Sequence, residues 1–133
     1  MDQGPLVIEE IDAGAELTRE FDRHQPIKAA FWLKVSDEEQ RYLYLASHDG
    51  ADVMDLNAAY REVLRLAGTI RSPYLDPFRI KVISGDNPLT LAAVEVNRRF
   101  PGPMTRRLGS QLFGGVFVDD GYIYPSPLPV NVG

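Results

Sequence analysis

Ile27-Lys28-Ala29-Ala30-Phe31-Trp32-Leu33-Lys34-Val35 is the stretch that decides the fold. Side chains alternate between the two faces of a strand, so Ile27, Ala29, Phe31, Leu33 and Val35 share one face and Lys28, Ala30, Trp32 and Lys34 the other. Both faces carry large apolar groups, which predicts an interior strand covered on both sides. Ser36 to Gln40 is a polar turn. Arg41 to Ser47 then alternates again, with Leu43 and Leu45 on one face and Tyr42, Tyr44 and Ala46 on the other. The two runs predict an antiparallel hairpin.

Upstream, Leu6 to Ile11 reads as a short strand or ordered arm. Asp12 is placed to cap a helix that ends near His24, before Pro26. Downstream, Asp55 caps a second helix from about Leu56 to Ala67, with Gly68 just past its end. Phe78 to Ser84 reads as a strand. Gly85-Asp86-Asn87-Pro88 supplies a turn, a cap and a proline at the first position of a third helix, which runs to about Phe100. A terminal hairpin follows, Leu112 to Val118 with Tyr122 to Tyr124, turning at Asp119-Asp120-Gly121 because Asp-Gly suits a tight hairpin turn. The predicted order is α-β-β-α-β-α-β-β: an α/β or α+β fold with helices packed on a mixed β-sheet. In it the second and third strands run parallel through right-handed crossovers, and the fourth is a further candidate.

A chain of 133 residues with 44% hydrophobic and 25% charged residues is a single domain of ordinary globular composition. A flexible arm over about residues 1–10 and a proline-rich tail over about 125–133 flank it. Cysteine is absent, which excludes disulfides, thiolate metal sites and cysteine nucleophiles and fits a reducing compartment. The N-terminus lacks a basic, apolar leader and no run approaches the ~20 apolar residues of a membrane span. A cytoplasmic protein without membrane contact is the expectation.

Charge is sorted along the chain, although the total is only −5. Residues 1–60 carry five basic and thirteen acidic groups, residues 61–107 nine basic and four acidic. The basic part ends in a clump holding Arg98, Arg99, Arg106 and Arg107, a candidate site for phosphate, carboxylate or an acidic protein surface. An acidic sequence pI near 5.0 argues against a dedicated nucleic-acid binder.

Parallel strands present ligands outside their carboxyl ends. That rule gathers His48, Asp49, Asp52 and Asp55 with Ser84 and Asp86. Of these, His48, Asp49, Asp52 and Asp86 form a candidate oxygen-rich set for a divalent cation and metal-assisted phosphoester hydrolysis. Asp55 and Asp86 also serve as helix caps, and Asp49-Gly50 is a common turn pair, so structural roles account for most of the set. Tyr42, Tyr44, Tyr122 and Tyr124 are placed to line one sheet face, as a stacking platform or an interface. No nucleophile elbow, phosphate loop or dinucleotide fingerprint is present, so no cofactor is expected. The sequence favours a non-enzymatic interaction module. It would associate with itself or a protein partner through the arginines, an edge strand of the terminal hairpin and the proline-rich tail. A metal-assisted hydrolase and a phosphate binder through the arginines are the alternatives.

Overall fold

The computed structural model describes residues 6–101 and 107–125. Three helices and six strands follow one another as α1 (Ile8–His24), β1 (Ile27–Val35), β2 (Tyr42–Ser47), α2 (Leu56–Ile70), β3 (Ile80–Ile83), α3 (Pro88–Arg99), β4 (Arg107–Leu108), β5 (Gln111–Phe113) and β6 (Val116–Ile123). They form one mixed sheet in the order β3-β2-β1-β6-β4, with β5 also on β6. The expected mixed-sheet fold is therefore present, and β1 is the interior strand its two apolar faces require.

The sheet is the middle of three layers. On one face Ala30, Trp32, Leu43, Leu45, Ile80 and Val82 pack against Leu17 and Phe21 of α1 and Val63 and Leu66 of α2. On the other, Phe31, Leu33, Tyr44, Ala46, Val118 and Ile123 pack against the Ala93 face of α3. Ile27 departs from its expected side and packs with the α1/α2 layer. A register irregularity between Ile27 and Ala29 inserts Lys28 as an extra residue, and one extra residue reverses the alternation upstream of it.

The β1–β2 hairpin is antiparallel and β2–β3 is parallel, as expected. The fourth strand is not parallel to a neighbour: α3 carries the chain across the sheet, and β4, β5 and β1 all pair with β6 antiparallel.

Several boundaries differ from the sequence reading. Helix α1 starts at Ile8, inside the expected arm, and Asp12 lies within it. Its first turn is closed by Glu10, whose carboxylate accepts the Val7 N–H at 3.3 Å. Helix α2 passes Gly68 and ends at Ile70, capped by Arg71, which itself takes the left-handed conformation (φ 56°). Pro77–Arg79 forms a 3₁₀ turn ahead of β3, because Asp76 caps the Phe78 N–H. Asn87, not Asp86, caps α3 through the Leu89 N–H.

The terminal hairpin turns at Gly114-Gly115, not at Asp119-Asp120-Gly121. Both glycines have positive φ (57° and 89°), the geometry a two-residue hairpin turn demands. Asp119 and Asp120 instead lie within β6, where Asp119 pairs with Lys34 of the neighbouring β1 and Asp120 with Arg41 just ahead of β2. Asp119 is the extra residue of a bulge between the Lys34–Asp120 and Val35–Val118 pairs. It accepts from Ser36 Oγ at 2.8 Å and Lys34 Nζ at 3.1 Å. Strands β4 and β5 share one register against β6, interrupted only at Gly109 and Ser110 across from that bulge.

Candidate functional site

The two loops at the carboxyl ends of β2 and β3 do meet. Gly85 N–H donates to the Asp49 carbonyl at 2.8 Å, and a Cβ on Gly50 would lie 3.1 Å from Asp86 Oδ2 and 3.2 Å from Asp52 Oδ1. Ser84 Oγ donates to Asp86 Oδ1 at 2.5 Å. That bond, with backbone N–H groups of Ala51 and Asp86 and the charge of Lys28, holds the Asp86 carboxyl below its ordinary pKa. Asp55 caps α2 through the Ala58 N–H at 3.0 Å. Ser84, Asp86 and Asp55 are thus engaged in hydrogen bonds within the loops themselves. Among the described residues no group of three or more His, Asp or Glu side chains is placed to hold a metal ion. The set of His48, Asp49, Asp52 and Asp86 does not converge as cation binding requires.

The arginines are separated in the same way. Arg98 and Arg99 both turn back on Glu95, with Arg98 Nη2 2.5 Å and Arg99 Nε 2.9 Å from its carboxylate. Arg107 donates to the Leu6 carbonyl at 3.0 Å from β4. Arg106 and the residues beyond Pro125 in the expected tail lie outside the described residues. Two guanidinium groups on one carboxylate lower the Glu95 pKa to about 2. A lowered pKa makes the contact complete above the ordinary value of 4.5 and lost as pH falls through about 2. An NMR titration of the Glu95 side chain will give a midpoint near 2 in the native protein, and the Arg98→Gln, Arg99→Gln double variant will move it back toward 4.5.

The four tyrosines do not share a face. Tyr44 stacks on Phe31 at 5.3 Å in the α3 layer, and Tyr42 packs beside that cluster. Tyr122 and Tyr124 meet edge to face at 5.1 Å in the α1/α2 layer. Tyr124 Oη accepts from Trp32 Nε1 at 3.0 Å and donates to the Ile11 carbonyl at 2.5 Å, which fixes α1 to the sheet. Burial pushes the Tyr44 hydroxyl up to about 12, and it raises that of Tyr124 as well.

Two features escaped the sequence reading. The first is a difference between the outer strands. On β3 the Val82 N–H is taken by the Tyr60 hydroxyl of α2 at 3.0 Å, and Lys81 lies over the Tyr42 ring. Among the described residues the hairpin edge has no such cover. Phe117 O accepts from Ser36 N–H on the β1 side, so the Phe117–Leu112 pair exchanges no bonds and the Leu112 N–H and carbonyl point away from the sheet. Among the described residues no hydrogen bond from outside the sheet ladder reaches either group. Leu112 and Phe117 lie side by side, 60% and 68% exposed.

The second is a cavity of about 270 Å³ at the amino ends of β2 and β3, the opposite end from the acidic loops. Arg41, only 3% exposed, sits in its wall and forks onto Asp120 through Nε at 3.0 Å and Nη2 at 3.3 Å. A buried arginine requires such a partner. The one available sign was a charged residue opening the apolar run of β2. No protein-family model, no curated protein and no solved structure matches the chain. Among the described residues no helix is long and apolar enough to cross a membrane.

Proposed function

We propose that this chain is a non-enzymatic interaction module that pairs with a second copy of itself along the outer edge of β5. The observation that carries this reading is the unequal treatment of the two outer strands. Exposed strand edges are normally covered, charged or twisted away because they template association. Tyr60 and Lys81 do this for β3, while β5 combines an outward N–H and carbonyl at Leu112 with the adjoining apolar pair Leu112 and Phe117. Two β5 edges meeting antiparallel around a two-fold axis would satisfy those backbone groups and bury both apolar pairs. Closed two-fold dimers are also the commonest soluble assembly.

The arginine contribution falls away in this reading, because Glu95 already engages Arg98 and Arg99. Association should therefore persist in high salt, unlike one driven by surface charges. Light scattering on the full chain will give twice the monomer mass of 14.9 kDa at both low and high salt. Leu112→Pro will bring it to the monomer mass. Proline removes the outward N–H, which the hairpin itself does not use, so the monomer fold tolerates it. Phe117→Lys will act in the same direction by placing a charge in the contact. A wild-type mass of 14.9 kDa at every concentration, or a dimer that both variants leave intact, overturns the proposal.

A further inference from the structure

Asn97 lies in the last turn of α3, and its side-chain Nδ2 donates at 3.3 Å to the Tyr124 carbonyl, where the chain leaves β6. That contact fixes the orientation of the amide, because a carbonyl oxygen can only accept. Oδ1 therefore faces away from Tyr124 O. It is buried, and among the described residues it has no hydrogen-bond partner. A buried acceptor left unpaired is costly, and folded proteins satisfy nearly all of them. Asparagine is also a weak helix former, so α3 itself gains nothing from it at this position. We propose that the missing donor is the backbone N–H of Ser126, and that Asn97 thereby straps the start of the proline-rich tail, residues 126–133, to the end of α3.

The chain around Pro125 is suited to this contact. Tyr124 is held on three sides: its N–H donates to the Ala30 carbonyl at 3.0 Å, and its hydroxyl joins Trp32 to the Ile11 carbonyl. Pro125 is buried, so the tail starts from inside the protein and not from its surface. Pro125 has no N–H, which makes Ser126 the first backbone donor after Tyr124. In an extended chain the carbonyl of one residue and the N–H two residues on point to the same side. Both flanking residues are biased toward that conformation, because Tyr124 precedes Pro125 and Ser126 precedes Pro127. One primary amide can then bridge the two groups across Pro125, with Nδ2 on the Tyr124 carbonyl and Oδ1 on the Ser126 N–H. The prolines of the tail lower the conformational entropy lost when it is strapped down. This contact lies at the far end of β6 from Val116–Val118, the stretch that pairs with β5, so it stands independently of self-association.

Amide hydrogen exchange followed by NMR on the full-length native protein tests the contact directly. The Ser126 N–H will exchange at least about tenfold more slowly than in a free peptide of residues 125–133, a factor in keeping with one well-made hydrogen bond. Nuclear Overhauser contacts will link that N–H to the Asn97 side chain. Asn97→Ala removes the acceptor and will return Ser126 to the exchange rate of the peptide. Ser126→Pro removes the donor and suits an extended backbone. It will lower the thermal midpoint of the native chain but leave that of the Asn97→Ala chain unchanged, because both substitutions break the same contact. A Ser126 N–H that exchanges in the native protein as fast as in the peptide overturns the proposal, since the donor to Asn97 is then water. So does a Ser126→Pro effect of equal size in the two backgrounds.

Discussion

Phe31→Ala will destabilise the protein by about 3–5 kcal/mol, the range for truncating a fully buried phenylalanine. Phe31 is completely buried in the middle of β1, stacked on Tyr44 with 14° between the rings and edge-on to Phe113 at 6.0 Å. Three strands and the α3 layer converge on that ring, so the space left behind cannot collapse easily. In a denaturant titration the midpoint will fall while the slope stays the same, because the surface exposed on unfolding barely changes. The thermal midpoint will drop by roughly 10–20 °C for a chain of this size. Phe78→Ala is the matched control. That ring is 85% exposed, and its loss will stay within about 0.5 kcal/mol. A Phe31→Ala effect as small as that of Phe78→Ala would contradict the placement of β1 at the centre of the sheet.

Gly121→Ala will be nearly as damaging, although it adds a single methyl group. A Cβ at Gly121 would lie 2.5 Å from the Trp32 carbonyl oxygen and 2.9 Å from Leu33 Cδ2. The first neighbour is backbone in the β1–β6 ladder and cannot rotate away, so the central strands must separate. Overpacking of this kind costs about 1–3 kcal/mol, and the rigid obstacle argues for the upper end. Gly68→Ala supplies the opposite sign. Gly68 lies within α2 with nothing inside 4 Å of the added atom, and alanine there will stabilise by about 0.5–1 kcal/mol. Equilibrium unfolding of the two variants side by side tests both statements. A mild effect at Gly121 would mean that β1 and β6 do not pair in this register.

The contrast between these glycines shows where the sequence was legible. The β1–β2 hairpin and the start of α3 could be read because alternation over fifteen residues and a proline at the first helical position are local signals, although the cap is Asn87 and not the expected Asp86. The terminal hairpin was misplaced because two signals competed. Asp120-Gly121 resembles a turn, but Arg41 and Lys34, distant in sequence, hold the two aspartates inside a strand, and Gly121 is required by close approach to Trp32. Gly114-Gly115 then supplies the turn, braced where a Gly114 Cβ would meet Leu89 and Pro88 of α3. The acidic loops were correctly brought together, since parallel β2 and β3 must end side by side, but not their chemistry. Hydrogen bonds such as Ser84 to Asp86 are decided by rotamers that spacing does not reveal. The cavity was missed because Glu10, Trp32, Arg41 and Arg79 come from four separate segments.

The two strands at the heart of the sheet are drawn from opposite ends of the chain, with Trp32 bonded to Tyr124 across 92 residues. A ribosome adding ~5–20 residues per second therefore leaves β1 waiting about 5–20 s for its β6 partner. During that interval one whole flank of β1, among the most apolar segments of the protein, is a bare edge open to any other strand. Such distant pairing also slows folding after release. Vectorial synthesis thus makes the nascent chain the stage at which this protein most needs shielding, and a premature stop anywhere before β6 would make that exposed state permanent.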